Sequence, residues 1–208
     1  MNIRLSASAP AGEQNFAIRP YPGELIETLQ WQGRTLTLRP IRPEDEAQHL
    51  AFLTRLDPDD IRMRVFYSRR SIEHAELARL VQIDYEREMV FIAVAREPDD
   101  ASGTEQTLGV VRAIADPDNR DAEFGIIIRS DLKGQGLGSL LMEKMISYLR
   151  AHGTQRLVGI VIAENRPMLA LAQRLGFVEG RATTDDALRD VRLDLQTQAS
   201  NPDPGPTP

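Results

Sequence analysis

The stretch from 121 to 153 constrains the fold of this 208-residue chain more than any other part. It begins with an apolar run, Phe124 to Ile128, whose β-branched isoleucines are typical of a buried strand. Glycines then stand at alternate positions, 134, 136 and 138. From Leu137 onward, apolar residues recur at helical spacing until a His-Gly stop at 152 and 153. The pattern predicts a strand, a glycine loop and a helix in direct succession.

The glycine loop has the chemistry of a pyrophosphate site. A helix that begins in such a loop presents backbone N–H groups and the positive end of its dipole, and glycine allows an anion to approach closely. A dinucleotide fingerprint requires glycine at 139, where serine stands, and a Walker loop would end in Gly-Lys-Ser/Thr. A tight turn without a ligand has little need of three alternate glycines. The interpretation that remains is a loop for the pyrophosphate of coenzyme A.

Composition argues against several other classes of protein. The net charge is −6 and no basic patch is present, which disfavours nucleic-acid binding. The absence of cysteine excludes a thiol nucleophile and a cysteine-ligated zinc, and the three histidines are too scattered for a metal site. No apolar run approaches the ~18 residues of a membrane span, and no signal peptide opens the chain. We therefore expect a cytoplasmic protein with no membrane, nucleic-acid or metal partner.

Strand and helix signals extend over most of the chain. A hairpin is expected from Glu24 to Leu38 around the turn Gln32-Gly33. Strands at 89–95, 108–115 and 122–129 would form an antiparallel meander, and further strands are expected at 156–163, 176–178 and 187–195. Helices are expected after Pro43, at 57–66, at 71–83, from 136 and at 166–175.

Two motifs resemble those of the GNAT superfamily of N-acetyltransferases. The loop Lys133-Gly134-Gln135-Gly136-Leu137-Gly138 is similar to its acetyl-CoA motif, Arg/Gln-x-x-Gly-x-Gly/Ala, with lysine at the first position. Asn165 and the pair Gly176-Phe177 match the start and end of the family's later helix. Segments at 17–22, 38–45, 82–89 and 122–124 further resemble the C-terminal acetyltransferase domain of bacterial Pat-type protein lysine acetyltransferases.

The resemblance implies an α/β (α+β) GNAT fold, with a mixed, mostly antiparallel sheet and helices on both faces. It implies acetyl-CoA as cosubstrate and no metal. The strand containing Ile127 would splay from its neighbour there, so that the amides of Ile126 and Ile128 bind the pantetheine arm and Asn165 contacts the cofactor. The pyrophosphate would be held by the loop amides of Lys133, Gly134, Gln135, Gly136, Leu137, Gly138 and Ser139.

The resemblance also implies a domain organisation and a substrate. We expect a leader or interdomain linker at 1–22, a GNAT domain at 23–196 and a disordered, proline-rich tail at 197–208. In Pat-type proteins the acetyltransferase domain usually follows an acyl-CoA-synthetase-like region, so this chain is expected to be part of a longer protein. Its predicted substrate is a protein with a reactive lysine, such as an AMP-forming acyl-CoA synthetase.

Glu123 is the candidate catalytic residue. Deprotonating a lysine of pKa ~10.4 at pH 7 costs roughly 4 to 5 kcal/mol, and a carboxylate in a dry pocket can accept that proton. Glu123 lies in the apolar strand that leads to the glycine loop, beside Gly125 on the same face, and we expect burial to raise its pKa. From the residues alone, a catalytic role for Glu123 and a role as an ordinary solvent-exposed or ion-paired glutamate are equally supported. The resemblance favours catalysis, because Pat-type enzymes use a glutamate on this strand.

One departure from the family leaves other functions open. Many members carry a tyrosine shortly before the Gly-Phe pair that protonates the leaving thiolate, but Ala172 stands there in this chain. A domain that binds acetyl-CoA without catalysis is one alternative to lysine acetylation. Acetylation of a small-molecule amine is another, and motif spacing alone does not separate the two kinds of acceptor.

Overall fold

A computed structural model describes residues 20–65, 80–96, 104–181 and 185–196. Its centre is an eight-stranded sheet in the order β1-β2-β3-β4-β5-β6-β8-β7. Neighbouring strands run antiparallel except for β5 and β6, which are parallel. The strands are β1 Glu27–Trp31, β2 Arg34–Pro40, β3 Glu88–Arg96, β4 Glu105–Ala115, β5 Asp121–Ile128, β6 Arg156–Ile162, β7 Val178–Arg181 and β8 Leu188–Asp194.

Helices cover both faces of the sheet, as predicted. The longer ones among the described residues are α1 Glu46–Thr54, α2 Pro58–Val65, α3 Leu137–Ala151 and α4 Arg166–Arg174. Helices α3 and α4 pack on one face over the main hydrophobic core, and Phe52 of α1 packs on the other face with Val90, Ile92 and Val110. No helix among these residues is long and apolar enough to cross a membrane.

Several expectations differ from the structure or lie outside it; the strand expected at 176–178, for example, is β7 at Val178–Arg181. Strand β4 begins at Glu105 rather than at Leu108, because an irregularity in the β3–β4 register near Leu108 lets the ladder continue through polar residues that carry no apolar signal. Of the helix expected at 71–83, only residues 80–83 are described; 80 and 81 are helical, whereas 82 and 83 are not, so the helix ends two residues earlier than expected. The leader at 1–22 and the tail at 197–208 lie almost wholly outside the described residues and stay predictions.

Strands β5 and β6 separate early. Their parallel pairing runs from Asp121 opposite Arg156 to Glu123 opposite Val158 and ends there, four residues before the expected splay at Ile127. The ring of Phe124 lies over Gly159, where an added Cβ would stand 2.6 Å from the ring. Beyond this ring the edge of β5 that faces β6 is open.

His49 of α1 is buried on the second face and makes stability depend on pH. Burial, together with the charge of Arg112, lowers the pKa of His49 to about 4. In the unfolded chain a histidine titrates near ~6.5, so between these values the unfolded state binds more protons than the folded state. This contribution lowers stability as the pH falls below about 6.5, by about 2 kcal/mol at pH 5.

Urea unfolding of the wild type and of His49→Leu measures this effect. Between pH 7.5 and pH 5, the wild type is expected to lose about 2 kcal/mol more free energy of unfolding than the variant, which has no group to protonate at this position. Comparing the two proteins removes the common contribution of the carboxylates. Equal losses in both would show that His49 titrates alike in the folded and unfolded states.

Candidate active site

The loop between β5 and α3 has the backbone that its glycines require. Gly134 and Gly136 have φ values of 73° and 86°, in the left-handed region that favours glycine. A Cβ at either position would meet no atom within 4 Å, so backbone conformation rather than space selects glycine. Gly138 differs, because a Cβ there would lie 3.3 Å from Leu171 and push α3 away from α4.

The first turn of α3 fits an anion. Gly136 is its N-cap residue and offers no side chain to its amides. By contrast, α4 is capped by Asn165, whose Oδ1 accepts a hydrogen bond of 3.2 Å from the Met168 amide. The amides at the start of α3 therefore receive no side-chain cap from the N-cap position, which suits the pyrophosphate of coenzyme A. Asn165 therefore caps α4 in this structure, and its contact with a cofactor remains a prediction.

Trp31 fixes the loop from the edge of the sheet. Its Nε1 donates a hydrogen bond of 3.0 Å to the carbonyl oxygen of Gln135, 104 residues away in sequence. The Gln135 side chain in turn donates to the carbonyl oxygen of Asp131 at 3.2 Å. Sequence reasoning did not assign Trp31 to the site, and no local pattern could have done so because the contact joins distant segments.

Helix α2 lies across the end of the opening between β5 and β6. Asp60 forms an ion pair with Lys133 of the loop and accepts a hydrogen bond of 2.6 Å from the Ser130 hydroxyl. On the other side, a guanidinium nitrogen of Arg62 lies 3.7 Å from a carboxylate oxygen of Glu164, in the turn after β6. Lys133 thus shares its charge with Asp60, and a phosphate bound there would compete with that carboxylate.

The three isoleucines at the end of β5 alternate between the two faces. Ile126 and Ile128 pack against the main core beneath α3, whereas Ile127 packs against the second core on the face of α1. Because the β5–β6 pairing ends at Glu123, the backbone of this part of β5 lies at an edge that is not paired with β6. The backbone of Ile126 and Ile128 is therefore placed where it could bind the pantetheine arm, and this contact remains a prediction.

Glu123 stands where the paired part of β5 and β6 ends. It lies opposite Ile114 of β4 and Val158 of β6, and it is exposed. The predicted burial of this carboxylate is therefore wrong. The apolar residues of the strand indicated burial, but the second core is built around other parts of this face, and the neighbouring Ile114 is itself exposed.

The acidic residues near β3 have structural roles. Glu88 accepts a hydrogen bond of 2.5 Å from Arg112, which also donates to the Leu80 carbonyl oxygen at 2.6 Å. Burial raises the pKa of Glu88, and the charge of Arg112 opposes this rise. Asp84 accepts the amide hydrogen of Glu86 at 3.0 Å in an exposed turn. These contacts give the segment before β3 a structural role.

Among the described residues, no general acid emerges near Ala172. This residue is buried, and its carbonyl oxygen accepts a hydrogen bond of 3.0 Å from the Phe177 amide. The hydroxyl of Tyr85 donates to the Ile41 carbonyl oxygen, and burial raises the pKa of Tyr85 to about 12. Tyr148 packs against Phe91 and His152 on the far part of α3.

A charged cavity of about 590 Å³ adjoins the loop at the ends of β4 and β5. Arg55 donates to Gln106 at 2.5 Å, and Arg129 donates to Asp131 at 2.7 Å. Both arginines therefore have partners on the cavity wall. Within the described ranges, no three histidine, aspartate or glutamate side chains are grouped as metal ligands.

Comparison with known proteins identifies the family. A family model described as an acetyltransferase (GNAT) domain matches residues 35–178. The chain belongs to the GNAT family of acetyltransferases. It is accordingly an acetyl-CoA-dependent acetyltransferase, and the family, the fold class and the cosubstrate expected from the sequence are confirmed.

Individual relatives agree with this assignment of the GNAT domain. An acetyltransferase from Pseudomonas aeruginosa is 32% identical over 166 residues, which make up 80% of this chain and 86% of that protein. Acetyltransferase Pat from Mycolicibacterium smegmatis is 29% identical over 166 residues, 77% of this chain but 45% of Pat. The crystal structure of the GNAT domain of S. lividans PAT shares the fold, with a TM-score of 0.73 at 18% identity over 84% of this chain and 99% of that one.

Proposed function

We propose that this GNAT domain transfers the acetyl group of acetyl-CoA to a lysine side chain of a protein, with Glu123 as general base. The observation that carries the proposal is the position of Glu123 at the end of the β5–β6 pairing, where the opening between the strands begins. The same strand continues into the loop whose amides suit a pyrophosphate. One continuous segment would therefore bind the cosubstrate and accept the proton.

The residues that would hold acetyl-CoA follow the open edge of β5. The loop amides from Lys133 to Ser139 would bind the pyrophosphate, the backbone of Ile126 and Ile128 would bind the pantetheine arm, and Asn165 would contact it from β6's side. Bound acetyl-CoA supplies an activated thioester. In this arrangement the acetyl group would lie close to Glu123, at the closed end of the opening.

The proton transfer defines the role of Glu123. Glu123 takes one proton from the lysine ammonium, directly or through a water molecule, so that the neutral nitrogen has a lone pair with which to attack the acetyl carbon. The second proton, which the nitrogen loses as the amide forms, passes to solvent. The carbon–sulfur bond then breaks and coenzyme A leaves as a thiolate, in one ternary complex without an acetyl-enzyme. A thiol pKa near ~8.5, by analogy with cysteine, makes the thiolate a tolerable leaving group, so Ala172 is compatible with turnover.

A protein acceptor is favoured by the exposed position of Glu123. Glu123 is exposed, and it lines neither the 590 Å³ cavity nor the second cavity of about 430 Å³. The resemblance of the sequence segments to Pat-type protein lysine acetyltransferases favours this acceptor class and an acyl-CoA synthetase as its target. The second candidate is a small amine, because a spermidine N-acetyltransferase from Vibrio cholerae shares the fold at a TM-score of 0.61.

Mass spectrometry of lysine acetylation tests the proposal. The protein is incubated with acetyl-CoA and an AMP-forming acetyl-CoA synthetase, and in parallel with spermidine. We expect acetylation of a synthetase lysine that is absent from a reaction with the Glu123→Gln variant. Transfer to spermidine alone would favour the small-amine function, and acetyl-CoA binding without transfer to either acceptor would indicate a non-catalytic module.

A further inference from the structure

We propose that the sheet face around Glu123 is a docking surface that selects an extended polypeptide with aliphatic side chains on both sides of the acetylated lysine. This proposal rests on the proposed function and adds the chemistry of the acceptor. It follows from the strand register, from the exposed side chains on this face and from the pairing of the charges around Glu123.

The strand register places six residues in one row across the sheet. Residues that pair across neighbouring strands point to the same face. From β3 to β7, successive pairing partners form the row Glu88, Ile114, Glu123, Val158, Arg192 and Val178. Ile160 lies on the same face, two residues beyond Val158 on β6. Glu123 is thus flanked by aliphatic residues on both neighbouring strands.

The aliphatic residues of this face are unusually exposed. Ile114, Ile160 and Val178 are 50%, 49% and 65% exposed, and they are three of the five large hydrophobic residues with high exposure in the described parts of the chain. Single exposed aliphatic residues are common, but three of them on one face around a candidate catalytic group indicate an interaction surface.

The charges near Glu123 favour a polypeptide over a polyamine. Glu88 is held by Arg112, and Asp121, two residues before Glu123 on its face, is held by Arg156. Two carboxylates on the face of Glu123 are therefore already paired with arginines. A polyamine would gain most from several free carboxylates, whereas this face combines Glu123 with apolar area that aliphatic side chains can cover.

The spacing of the row predicts where the aliphatic residues of the acceptor lie. Strands are about 4.8 Å apart, so Ile114 lies about 5 Å from Glu123 along the row and Val178 about 14 Å on the other side. In an extended segment, residues two and four positions from the lysine are about 7 and 13 Å away and share its face. We therefore expect aliphatic residues at these two distances from the acetylated lysine.

Acetylation of two synthetic peptides tests this surface. Both have eleven residues and one central lysine, with leucine at the positions two and four residues away in one peptide and serine there in the other. Wild type is expected to acetylate the leucine peptide with a kcat/KM about tenfold higher, mainly through KM. Ile160→Ser and Val178→Ser should each reduce this preference to about threefold or less, with unchanged acetyl-CoA affinity by calorimetry.

Ile26→Ser is the matched control, because Ile26 is 45% exposed but precedes β1 at the far edge of the sheet. It should retain the full preference. Equal kcat/KM for the two peptides with wild type would overturn the docking surface, and loss of activity in Glu123→Gln would then still support the proposed function. Failure to acetylate any lysine, in peptide or protein, would overturn both.

Discussion

Replacing Glu123 by glutamine is expected to lower the acetylation rate by about 10²- to 10⁴-fold, the usual contribution of a general base. Glutamine has nearly the same shape but cannot accept the proton of the attacking amine. The acetyl-CoA affinity should stay within a few-fold of wild type, because the pyrophosphate loop begins ten residues further along the chain, at Lys133. Steady-state rates and calorimetric titration with acetyl-CoA measure the two quantities.

Glu143→Gln provides the control for this experiment. Glu143 is an exposed glutamate on α3, which packs on the opposite face of the sheet, so its replacement should leave the rate unchanged. A near-normal rate in Glu123→Gln would remove Glu123 from the mechanism. A parallel loss of acetyl-CoA affinity would instead assign Glu123 to cofactor binding.

Gly136→Val is expected to weaken acetyl-CoA binding by about tenfold or more. Gly136 has a φ of 86°, where a β-branched residue is strained by about 1 to 3 kcal/mol, and a loss of 1.4 kcal/mol corresponds to about a factor of ten in affinity. Because an added Cβ meets no atom within 4 Å, the loop can relieve the strain by changing its backbone conformation. That change would turn the amides at the start of α3 away from the pyrophosphate. Calorimetry measures the affinity.

Gly153→Val separates binding from general strain. Gly153 has a φ of 74°, its added Cβ also meets no atom within 4 Å, and it lies beyond the opposite end of the same helix. Both variants should therefore lose similar stability, but only Gly136→Val should lose affinity. An unchanged affinity in Gly136→Val would exclude the loop from the cofactor site.

The sequence predicts those parts of the site that local patterns encode. The strand, glycine loop and helix appear at 121–128, 133–136 and 137–151 because β-branched runs, alternate glycines and helical periodicity are short-range signals. The β1–β2 hairpin is likewise confirmed, with Gln32 and Gly33 at φ values of 51° and 75°. Two successive residues in the left-handed conformation are typical of a two-residue hairpin turn, and the Gln-Gly pair in the sequence indicates such a turn.

The remaining features depend on contacts between distant segments. The pairing of Asp60 with Lys133 joins residues 73 apart in sequence, and nothing in either segment indicates the other. The exposure of Glu123 also escapes a local pattern, because an apolar strand does not reveal which parts of its two faces the helices cover. The earlier separation of β5 from β6 depends on how the Phe124 ring packs over Gly159, which only the tertiary structure determines.

The hydrogen bond between Trp31 and Gln135 gives the protein an intrinsic optical probe. Trp31 is the single tryptophan of the chain, and its indole N–H is held by the loop that would bind the pyrophosphate. Any change of loop conformation on ligand binding alters the polarity around this one fluorophore. Tryptophan emission can therefore follow acetyl-CoA binding in real time without a label, and in variants that have lost turnover.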